Sequence, residues 1–377
     1  ILLILALPCR ALASTPLVLE QGIDKFPLGL HLEILCDKQG KLTLEDVMKP
    51  EQETKFTPSS SAIPNFGFTR SAYWAKFSLL NPLDKEQLVL LEEAYPHIDS
   101  IEIYVFRNDN QLCFLQGGDK LPYMNDTIAY RNNVFRLLLP PQSTTKIYMR
   151  FQTESSMQLP LVIWRPIGLA EKINTEQTIL GLYFGIMGAM LFYNFFLFIF
   201  LRDKNYLFYI LYIASFTMAQ LGVNRLDVEY LWPNSPVLAN LSHPVFFNLT
   251  FFFGGLFCRS FLNTKERAPF IDKAILVVMG VCVLGVVLTF VSGYTAGILS
   301  VVYFIAIFGP IFMLSAGISC WIKGLTIARY YTIAWSVFLV GAIIFNLRNM
   351  GVLPSILIID FSPHIGSAIE VIFLSLA

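Results

Sequence analysis

Charged residues are scarce in this 377-residue sequence, and most of the shortage falls in its second half. Only 14% of the residues are charged, against about 25% in a typical soluble domain. Of the 27 lysines and arginines, 17 lie between Arg10 and Lys172. The formal net charge is zero, so the chain lacks the basic face that nucleic-acid binding requires. We expect a soluble-type first half, a membrane-type second half and no nucleic-acid partner.

Metal-binding and catalytic motifs are also missing. The six cysteines are scattered, with no CxxC pair and no Cys/His cluster, which argues against a structural zinc site. The sequence contains no HExxH, Walker A or GxSxG motif. No lysine follows Lys323, so a retinal Schiff base in the last apolar run is excluded. We therefore expect no enzyme activity within this chain, no metal and no cofactor.

Seven apolar runs fill the sequence from Gln177 to Ala377. Each is close to the roughly 20 residues that an α-helix needs to cross the hydrocarbon core of a bilayer. The runs are Gln177–Leu201, Tyr206–Val223, Ala239–Leu262, Ala274–Ser292, Ile298–Ile322, Tyr330–Leu347 and Ile356–Ala377. They predict an all-α membrane domain of seven helices, residues 177–377, with the seventh helix truncated by the end of the given sequence.

A short apolar run, Ile1–Pro8, opens the sequence and is followed by Ala11-Leu12-Ala13. The run is too short to span a bilayer, and the small residues at positions 11 and 13 match a signal-peptidase site. We expect residues 1–13 to be part of a signal peptide that is cleaved after Ala13 when the following domain is exported.

Residues 30–165 have the pattern of an all-β domain. In Ser71–Leu80, side chains alternate with the period of two that a strand requires. Six similar segments follow: Gln87–Glu92, Ser100–Arg107, Gln111–Leu115, Asn133–Leu139, Lys146–Gln152 and Leu159–Trp164. Strands at this spacing, with turn residues between them, predict an antiparallel β-sandwich. We expect a polar linker at 166–176 to connect this domain to the first apolar run. Cys36 and Cys113 could pair in the β domain or remain two separate buried thiols.

Basic residues are unevenly divided among the loops between the apolar runs. If the β domain is exported, the loops after the first, third and fifth runs are cytoplasmic. These loops hold eight basic residues, whereas the opposite loops hold Arg225 and Arg348. This excess follows the positive-inside rule and agrees with the signal peptide. We expect a multi-pass protein with its β domain outside and its C-terminal end in the cytoplasm.

A series of short segments carries a resemblance to a known family. They are Tyr73–Phe77, Asn81–Pro82, Tyr95–Asp99, Gly118–Asp119, Arg131–Phe135, Leu159–Trp164, Tyr193–Phe198, Leu201–Tyr206, Tyr230–Pro233 and Gly366–Glu370. In this order, from Leu30 to Ala377, the sequence resembles the 7TMR-DISM family. These are bacterial seven-transmembrane receptors with diverse intracellular signalling modules, here with the type-2 extracellular domain in front.

The resemblance implies a jelly-roll ectodomain of the carbohydrate-binding type, a seven-helix relay and a cytoplasmic signalling module. Family modules include diguanylate cyclases, histidine kinases, adenylate cyclases and PP2C-type phosphatases, and none is visible before Ala377. The module would act in cis, beyond the given sequence, or in trans. Because such modules often work as dimers, the resemblance also implies a homodimer in the bacterial inner membrane.

Three residues of the β domain are candidate ligand-binding residues: Trp74, Asp99 and Arg131. Trp74 shares its strand face with Lys76 and Ser78, which makes that face the more polar one. Its indole could therefore be exposed and stack on a sugar ring, and packing in the core is the alternative. Asp99 and Arg131 could hydrogen-bond a polar ligand or hold turns together.

Five polar residues of the membrane domain are candidate relay residues: Asn194, Arg225, Asp227, His364 and Glu370. Glu370 lies in the middle of the seventh run, where an ionisable residue needs a partner or a polar cavity. Charged residues expected near the outer surface could extend a network around it: Arg225, Asp227, Glu229, Arg348 and Asp360. We expect a structural or switching network rather than a catalytic one. Gly181-x-x-x-Gly185 in the first run permits a close helix approach.

These patterns predict the sensory half of a transmembrane signalling receptor. The exported domain would bind a small molecule, such as a carbohydrate, or a periplasmic partner, and the lipid-embedded helices would pass the signal inward. The alternative is a transporter or channel with an exported accessory domain, although no internal repeat is visible. A third interpretation is a truncated receptor that acts through a separate cytoplasmic protein.

Overall fold

The computed structural model describes residues 15–107, 110–121, 128, 130–292, 296–349, 353 and 356–376. The predicted signal peptide, residues 1–13, lies outside the described residues. The chain divides between Glu171 and Lys172 into two compact units, one rich in β-strands and one helical. Each unit has its own apolar core.

Thirteen strands are found in the described part of the first unit: β1 (Leu17–Val18), β2 (Lys25–Pro27), β3 (Glu33–Asp37), β4 (Thr57–Pro58), β5 (Asn65–Phe68), β6 (Ala72–Asn81), β7 (Gln87–Glu93), β8 (Ser100–Arg107), β9 (Asn110–Gly117), β10 (Asn133–Leu139), β11 (Ser143–Gln152), β12 (Ser156–Gln158) and β13 (Leu161–Trp164). A seven-stranded sheet has the order β4-β3-β6-β11-β8-β9, and β1 pairs with β6 in parallel. A four-stranded sheet has the order β10-β7-β13-β2, and β12 pairs with β5.

The two larger sheets pack around one shared core. From the seven-stranded sheet, Phe77, Ile103 and Met149 point into this core. From the four-stranded sheet, Leu91 and Leu137 meet them. Successive side chains of a strand point to opposite faces, so every second residue of each strand contributes to this apolar layer. The unit is the β-sandwich that the alternating pattern predicts.

A helical segment, Thr43–Phe56, covers part of the outer face of the seven-stranded sheet, and we call it the α1–α2 flap. Its helices are α1 (Leu44–Val47) and α2 (Pro50–Glu53). Thr43 caps α1 through a reciprocal capping box, which fixes where that helix starts. Val47 and Phe56 of the flap pack with Trp74 on the outer face of β6. Both faces of the first half of β6 are therefore buried.

The described helices that follow are α3 (Pro166–Leu201), α4 (Lys204–Val223), α5 (Leu226–Tyr230), α6 (Pro236–Leu262), α7 (Thr264–Arg267), α8 (Pro269–Ser292), α9 (Ala296–Ile322), α10 (Ile327–Asn349), α11 (Leu357–Asp360) and α12 (Ser362–Leu376). Proline is favoured in the first turn of a helix, and Pro166 begins α3. Residues 166–176, predicted to be a linker, are thus the first turns of this 36-residue helix. At 1.5 Å per residue α3 is about 54 Å long, more than one membrane crossing needs.

Five helices of the described chain are long and apolar enough to cross a membrane: α3, α4, α6, α8 and α10. Two shorter apolar helices are Phe308–Ile322, within α9, and Ser362–Leu376. Together these helices account for the seven predicted runs. Large apolar side chains such as Phe200 and Phe290 are exposed on their surfaces, as a lipid-facing surface requires. The fold class predicted from the sequence is confirmed.

The seventh apolar run is not one continuous helix. It is divided into α11 and α12 at Phe361, where the backbone leaves the helical conformation. The Ser362 hydroxyl donates to the carbonyl oxygen of Ile359 at 2.8 Å and to that of Gly341 at 3.0 Å. A serine hydroxyl that binds nearby backbone in this way competes with regular helix geometry. The same serine that follows the break therefore also hydrogen-bonds α12 to α10.

The described cysteines are all free. Cys36 is exposed on β3, and Cys113 is half-buried on β9. Of the two possibilities left open by the sequence, separate thiols are the one observed. The expectation that both would be buried is wrong for Cys36, because it lies outside the sandwich core.

Candidate functional site

Glu370 is fully buried on α12, inside the apolar bundle of the helical unit. The Tyr212 hydroxyl of α4 lies 3.3 Å from each oxygen of the Glu370 carboxyl group. Within the described residues, no ion pair joins this carboxyl group to a cation. A carboxyl group in an apolar interior is strongly unfavourable unless it is hydrogen-bonded. Tyr212 is thus its polar partner.

The helix α4 also holds α12 at two further points. The Tyr209 hydroxyl donates to the carbonyl oxygen of Val371 at 3.0 Å. Asn224 caps the C-terminal end of α4 and places its amide nitrogen 3.1 Å from Nε2 of His364. The predicted relay residues His364 and Glu370 therefore face the same neighbouring helix.

The helix α3 contacts α12 through two side-chain pairs. The hydroxyl oxygens of Tyr183 and Ser367 lie 3.0 Å apart. Nearer the end of α12, the Asn194 amide donates to the Ser375 hydroxyl at 2.8 Å. The predicted relay residue Asn194 is fully buried at this contact. Both pairs join α3 to the helix that carries Glu370.

These contacts define one feature, which we call the α12 polar stripe: His364, Ser367, Glu370, the carbonyl group of Val371, and Ser375. Its members lie on the side of α12 that meets α3 and α4, because their partners all belong to those two helices or the α4 cap. Hydrogen bonds between membrane helices contribute about 0.6 kcal/mol each on average. Five such contacts together contribute roughly 3 kcal/mol to the attachment of α12 to α3 and α4.

Another side of α12 packs closely against α10 through small residues. A Cβ atom at Gly341 would lie 2.4 Å from the carbonyl oxygen of Ser362. A Cβ atom at Gly366 would lie 3.1 Å from the carbonyl oxygen of Val337. At Gly341 this distance leaves no room for a side chain, and at Gly366 the facing backbone would have to move by a few tenths of an ångström, so the two helices are in close contact. α12 therefore lies between a polar interface and a close-packed one.

Arg225 and Asp227 form a separate group in the connection between α4 and α6. Asp227 is buried and accepts hydrogen bonds from the Ser242 hydroxyl at 3.0 Å and from the backbone nitrogen of Val228 at 2.9 Å. Burial raises the pKa of Asp227, and these hydrogen bonds and the charge of Arg225 oppose that rise. The side-chain hydrogen bond of Asp227 thus leads to α6, whereas those of Glu370 lead to α4.

Arg348 and Asp360 form an ion pair between α10 and α11. The Nε atom of Arg348 lies 2.7 Å from Oδ1 of Asp360, and both side chains are partly exposed. The sequence identifies both residues as outer charges but groups them around Glu370. The structure pairs them with each other, close to the break that precedes α12.

Trp74 is fully buried, so the expectation of an exposed indole is wrong. The α1–α2 flap covers it. Glu53 of the flap accepts hydrogen bonds from Lys146 at 2.8 Å and from Lys76 at 3.3 Å. Lys76, which made this strand face look solvent-exposed, binds the flap instead, and Trp74 is part of a small core beneath the flap.

Asp99 is bonded to neighbouring segments of the β domain. It is buried, and its carboxylate accepts a hydrogen bond from the Thr153 hydroxyl at 3.0 Å. The ammonium group of Lys120 lies 2.7 Å from its other oxygen. Asp99 therefore joins three segments of the chain, which is the turn-holding alternative stated for it above.

Arg131 lies next to a buried polar cluster that was not foreseen from the sequence. The Asn132 amide and the Trp164 indole nitrogen each donate to the Glu92 carboxylate at 2.7 Å. All three of these residues are buried, and Arg131 itself is half-buried. The available signal was Glu92 at the end of an apolar strand, where a charge requires a partner.

The partners of the α12 polar stripe were also missed: Tyr183, Tyr209, Tyr212, Ser367 and Ser375. Tyr209 and Tyr212 lie three positions apart in one apolar run, and Ser367 and Glu370 lie three apart in another. Residues at this spacing share a helix face, so polar groups repeating within two apolar runs were a usable signal. Neither run shows by itself that the two faces meet.

The described residues contain no group of three His, Cys, Asp or Glu side chains able to hold a metal ion. Two of the buried acids accept hydrogen bonds from neutral donors: Glu370 from Tyr212, and Glu92 from Asn132. Such pairs fix helices and strands in position.

Two family models match the chain. Residues 176–377 match the model described as 7TM diverse intracellular signalling, and residues 29–165 match the model described as 7TMR-DISM extracellular 2. The two matches fall on the helical and the β-rich parts of the chain, in the order that the sequence resemblance predicts. A search of curated proteins finds no significant match.

Proposed function

We infer the function from one premise, that this chain belongs to the 7TMR-DISM family of membrane receptor-like signalling proteins. We propose that its exported domain senses a ligand and that α12 relays the binding inward. The ligand is a small molecule or a carbohydrate. The receiver is a cytoplasmic signalling module, in cis or in trans, and two copies of the chain act together.

The α12 polar stripe carries this proposal. α12 is the last described helix of the membrane domain, and its hydrogen bonds reach both α3 and α4. α3 begins at Pro166, directly after β13 ends at Trp164, so the sandwich is covalently continuous with a helix that binds α12. We propose that a change at the end of β13 is transmitted along α3 to α12.

The summed hydrogen-bond energy of the α12 polar stripe is suitable for a helix that changes between two positions. A ligand shifts an equilibrium only by the difference between its affinities for the two states. An attachment worth roughly 3 kcal/mol corresponds to a shift of about two orders of magnitude in population, within the range of an ordinary ligand. The helix is held firmly enough to have a resting state and weakly enough to leave it.

The direction of signalling follows from the topology proposed from the basic loops. With the β domain outside, the loops rich in lysine and arginine lie in the cytoplasm, and the C-terminal end of α12 is directed inward. Ser375, the contact of Asn194, lies at this inner end. The residues that follow α12 are thus on the side where a signalling module or a partner protein would act.

The test uses the full-length protein in native membranes, with the reaction rate of its cytoplasmic signalling module as the readout. Tyr212→Phe and Glu370→Gln each shift the basal rate about threefold, the change that 0.6 kcal/mol produces. The control Tyr193→Phe, at a side chain 40% exposed on α3, leaves the rate unchanged. Wild-type rates in both stripe variants would overturn the relay. Additional membrane helices encoded after Ala377, in place of a module, would favour the transporter.

A further inference from the structure

The strand register of the seven-stranded sheet brings five side chains together on its outer face. Arg150 of β11 lies opposite Glu102 of β8, which lies opposite Gln116 of β9. Two positions further along, Tyr104 of β8 lies opposite Phe114 of β9. Alternate residues of a strand share a face, so all five point to the same side. We call this set the β8–β9 platform.

Two aromatic rings form the apolar part of the platform. The ring centroids of Tyr104 and Phe114 are 4.9 Å apart. Tyr104 also stacks on Trp74, with ring centroids 6.0 Å apart. Phe114 is 43% exposed, and Tyr104 is half-buried. The platform therefore presents a supported aromatic surface to solvent, with β9 at the edge of the sheet.

Hydrogen-bonding groups border these rings. The Tyr104 hydroxyl donates to Oε2 of Glu102 at 2.7 Å. Arg150 donates to Oε1 of the same carboxylate at 3.4 Å and to the carbonyl oxygen of Gly40 at 3.0 Å. The side chain of Gln116 is exposed beside them. Burial, reinforced by Glu102, raises the pKa of Tyr104 to about 12, so this phenol stays protonated at neutral pH.

The charges of the platform compensate each other. Glu102 and Arg150 form an ion pair, and Tyr104, Phe114 and Gln116 are neutral. A strongly charged ligand would gain no net attraction there and would lose hydration. The surface instead suits a neutral molecule with an apolar face for the rings and hydroxyl groups for the carboxylate, guanidinium and amide.

A sugar ring has this combination, because its axial C–H groups form an apolar face and its hydroxyl groups lie around the rim. C–H hydrogens pack favourably on the electron-rich face of an aromatic ring. We propose that the β8–β9 platform binds a neutral oligosaccharide on the exported domain. The inference rests on the proposed sensing function and supplies its binding site, at residues other than Trp74, Asp99 and Arg131.

The experiment measures binding of five neutral pentasaccharides by calorimetry, with the full chain in lipid nanodiscs. The probes are maltopentaose, cellopentaose, laminaripentaose, xylopentaose and chitopentaose. At least one binds saturably, and Phe114→Ala weakens that binding about tenfold through loss of a stacking ring. Glu102→Gln weakens it as well, because the amide carries only one acceptor oxygen. Tyr104→Phe, which keeps the ring, has a smaller effect than Phe114→Ala.

The matched control is Leu138→Ala, at an apolar side chain 55% exposed on the outer face of the other sheet. It leaves the affinity unchanged, and equal melting temperatures show that the variants are folded. Failure of all five probes to bind would overturn the proposal, as would binding that survives both Phe114→Ala and Glu102→Gln. Neither result affects the relay, whose own test measures the basal output of the α12 stripe variants without any ligand.

Discussion

The Tyr212 hydroxyl lies 3.3 Å from both carboxyl oxygens of Glu370, and the two residues are buried where α4 meets α12. Burial shields both polar groups from bulk solvent. The hydrogen bond joins the two helices and offsets the desolvation penalty of both polar groups. A change of one partner alone is therefore more harmful than a matched change of both.

Tyr212→Phe is expected to lower the free energy of unfolding by about 1–3 kcal/mol, because it leaves a buried carboxyl group without its donor. Adding Glu370→Met to this variant restores part of the loss, since two apolar side chains need no hydrogen bond. Thermal unfolding of the full chain in detergent, followed through a double-mutant cycle, measures the coupling. Tyr193→Phe, on the exposed surface of α3, serves as the control and stays near wild type. Strict additivity of the two changes would contradict the contact.

Gly341→Ala is expected to destabilise the chain by about 1–3 kcal/mol, the usual effect of forcing an extra carbon into a packed site. Its Cβ atom would lie 2.4 Å from the Ser362 carbonyl oxygen, so α10 and α12 would have to separate. The control is Gly185→Ala, where nothing lies within 4 Å of the added carbon. Alanine at that helical position is neutral or stabilising by up to about 1 kcal/mol. Equal effects at the two glycines would show that the helices are not in close contact.

This pair of glycines shows what could be predicted from the sequence. Seven apolar runs are a local property of the chain, and each is visible without knowledge of its neighbours. The Gly181-x-x-x-Gly185 pattern is equally visible, but the described residues place no atom within 4 Å of a Cβ at either position. The close approach occurs at Gly341 instead. Spacing identifies a face, and only packing decides which face is used.

For the candidate residues too, the local sequence shows which residue is unusual, whereas its partners depend on the packing of distant segments. Glu370 could be identified because a carboxyl group in an apolar run is costly in any membrane fold. Its partner Tyr212 is 158 residues away in the sequence, and no local pattern connects the two. Trp74 was assigned to the correct strand and to the more polar face. Its burial depends on the α1–α2 flap, a segment some distance earlier in the chain that contributes Phe56 and Glu53.

Glu53→Gln is expected to loosen the α1–α2 flap at neutral pH. Burial alone would raise the pKa of Glu53, but its hydrogen bonds and charge interactions with Lys146 and Lys76 hold it below the usual value. A depressed pKa means that the carboxylate stabilises the fold above its unfolded-state pKa and loses this effect as the pH falls through the folded value. The wild-type flap should therefore be protected at pH 7 and open below about pH 4.

Hydrogen exchange of the backbone amides of Thr43–Phe56, corrected for intrinsic rates, measures this opening. In Glu53→Gln the exchange at pH 7 is faster than in the wild type, and its corrected pH dependence is flatter. The control is Glu45→Gln, at an exposed residue of α1 outside the ion-pair cluster, and it exchanges like the wild type. Unchanged protection in Glu53→Gln would mean that apolar packing under the flap holds it without the ion pairs.

The proposed topology can be checked with the protein's own cysteines. Cys36 is exposed on the exported sandwich, so a membrane-impermeant maleimide should label it in intact spheroplasts. Replacing Cys36 and Cys113 by serine should remove this signal, because the described cysteines of the membrane unit are buried. In that background Lys265→Cys adds a thiol on α7, in a loop whose basic residues predict a cytoplasmic position. It should be labelled only after lysis. Labelling of Lys265→Cys in intact spheroplasts would reverse the orientation and place the end of α12 outside, which is incompatible with a relay to a cytoplasmic module.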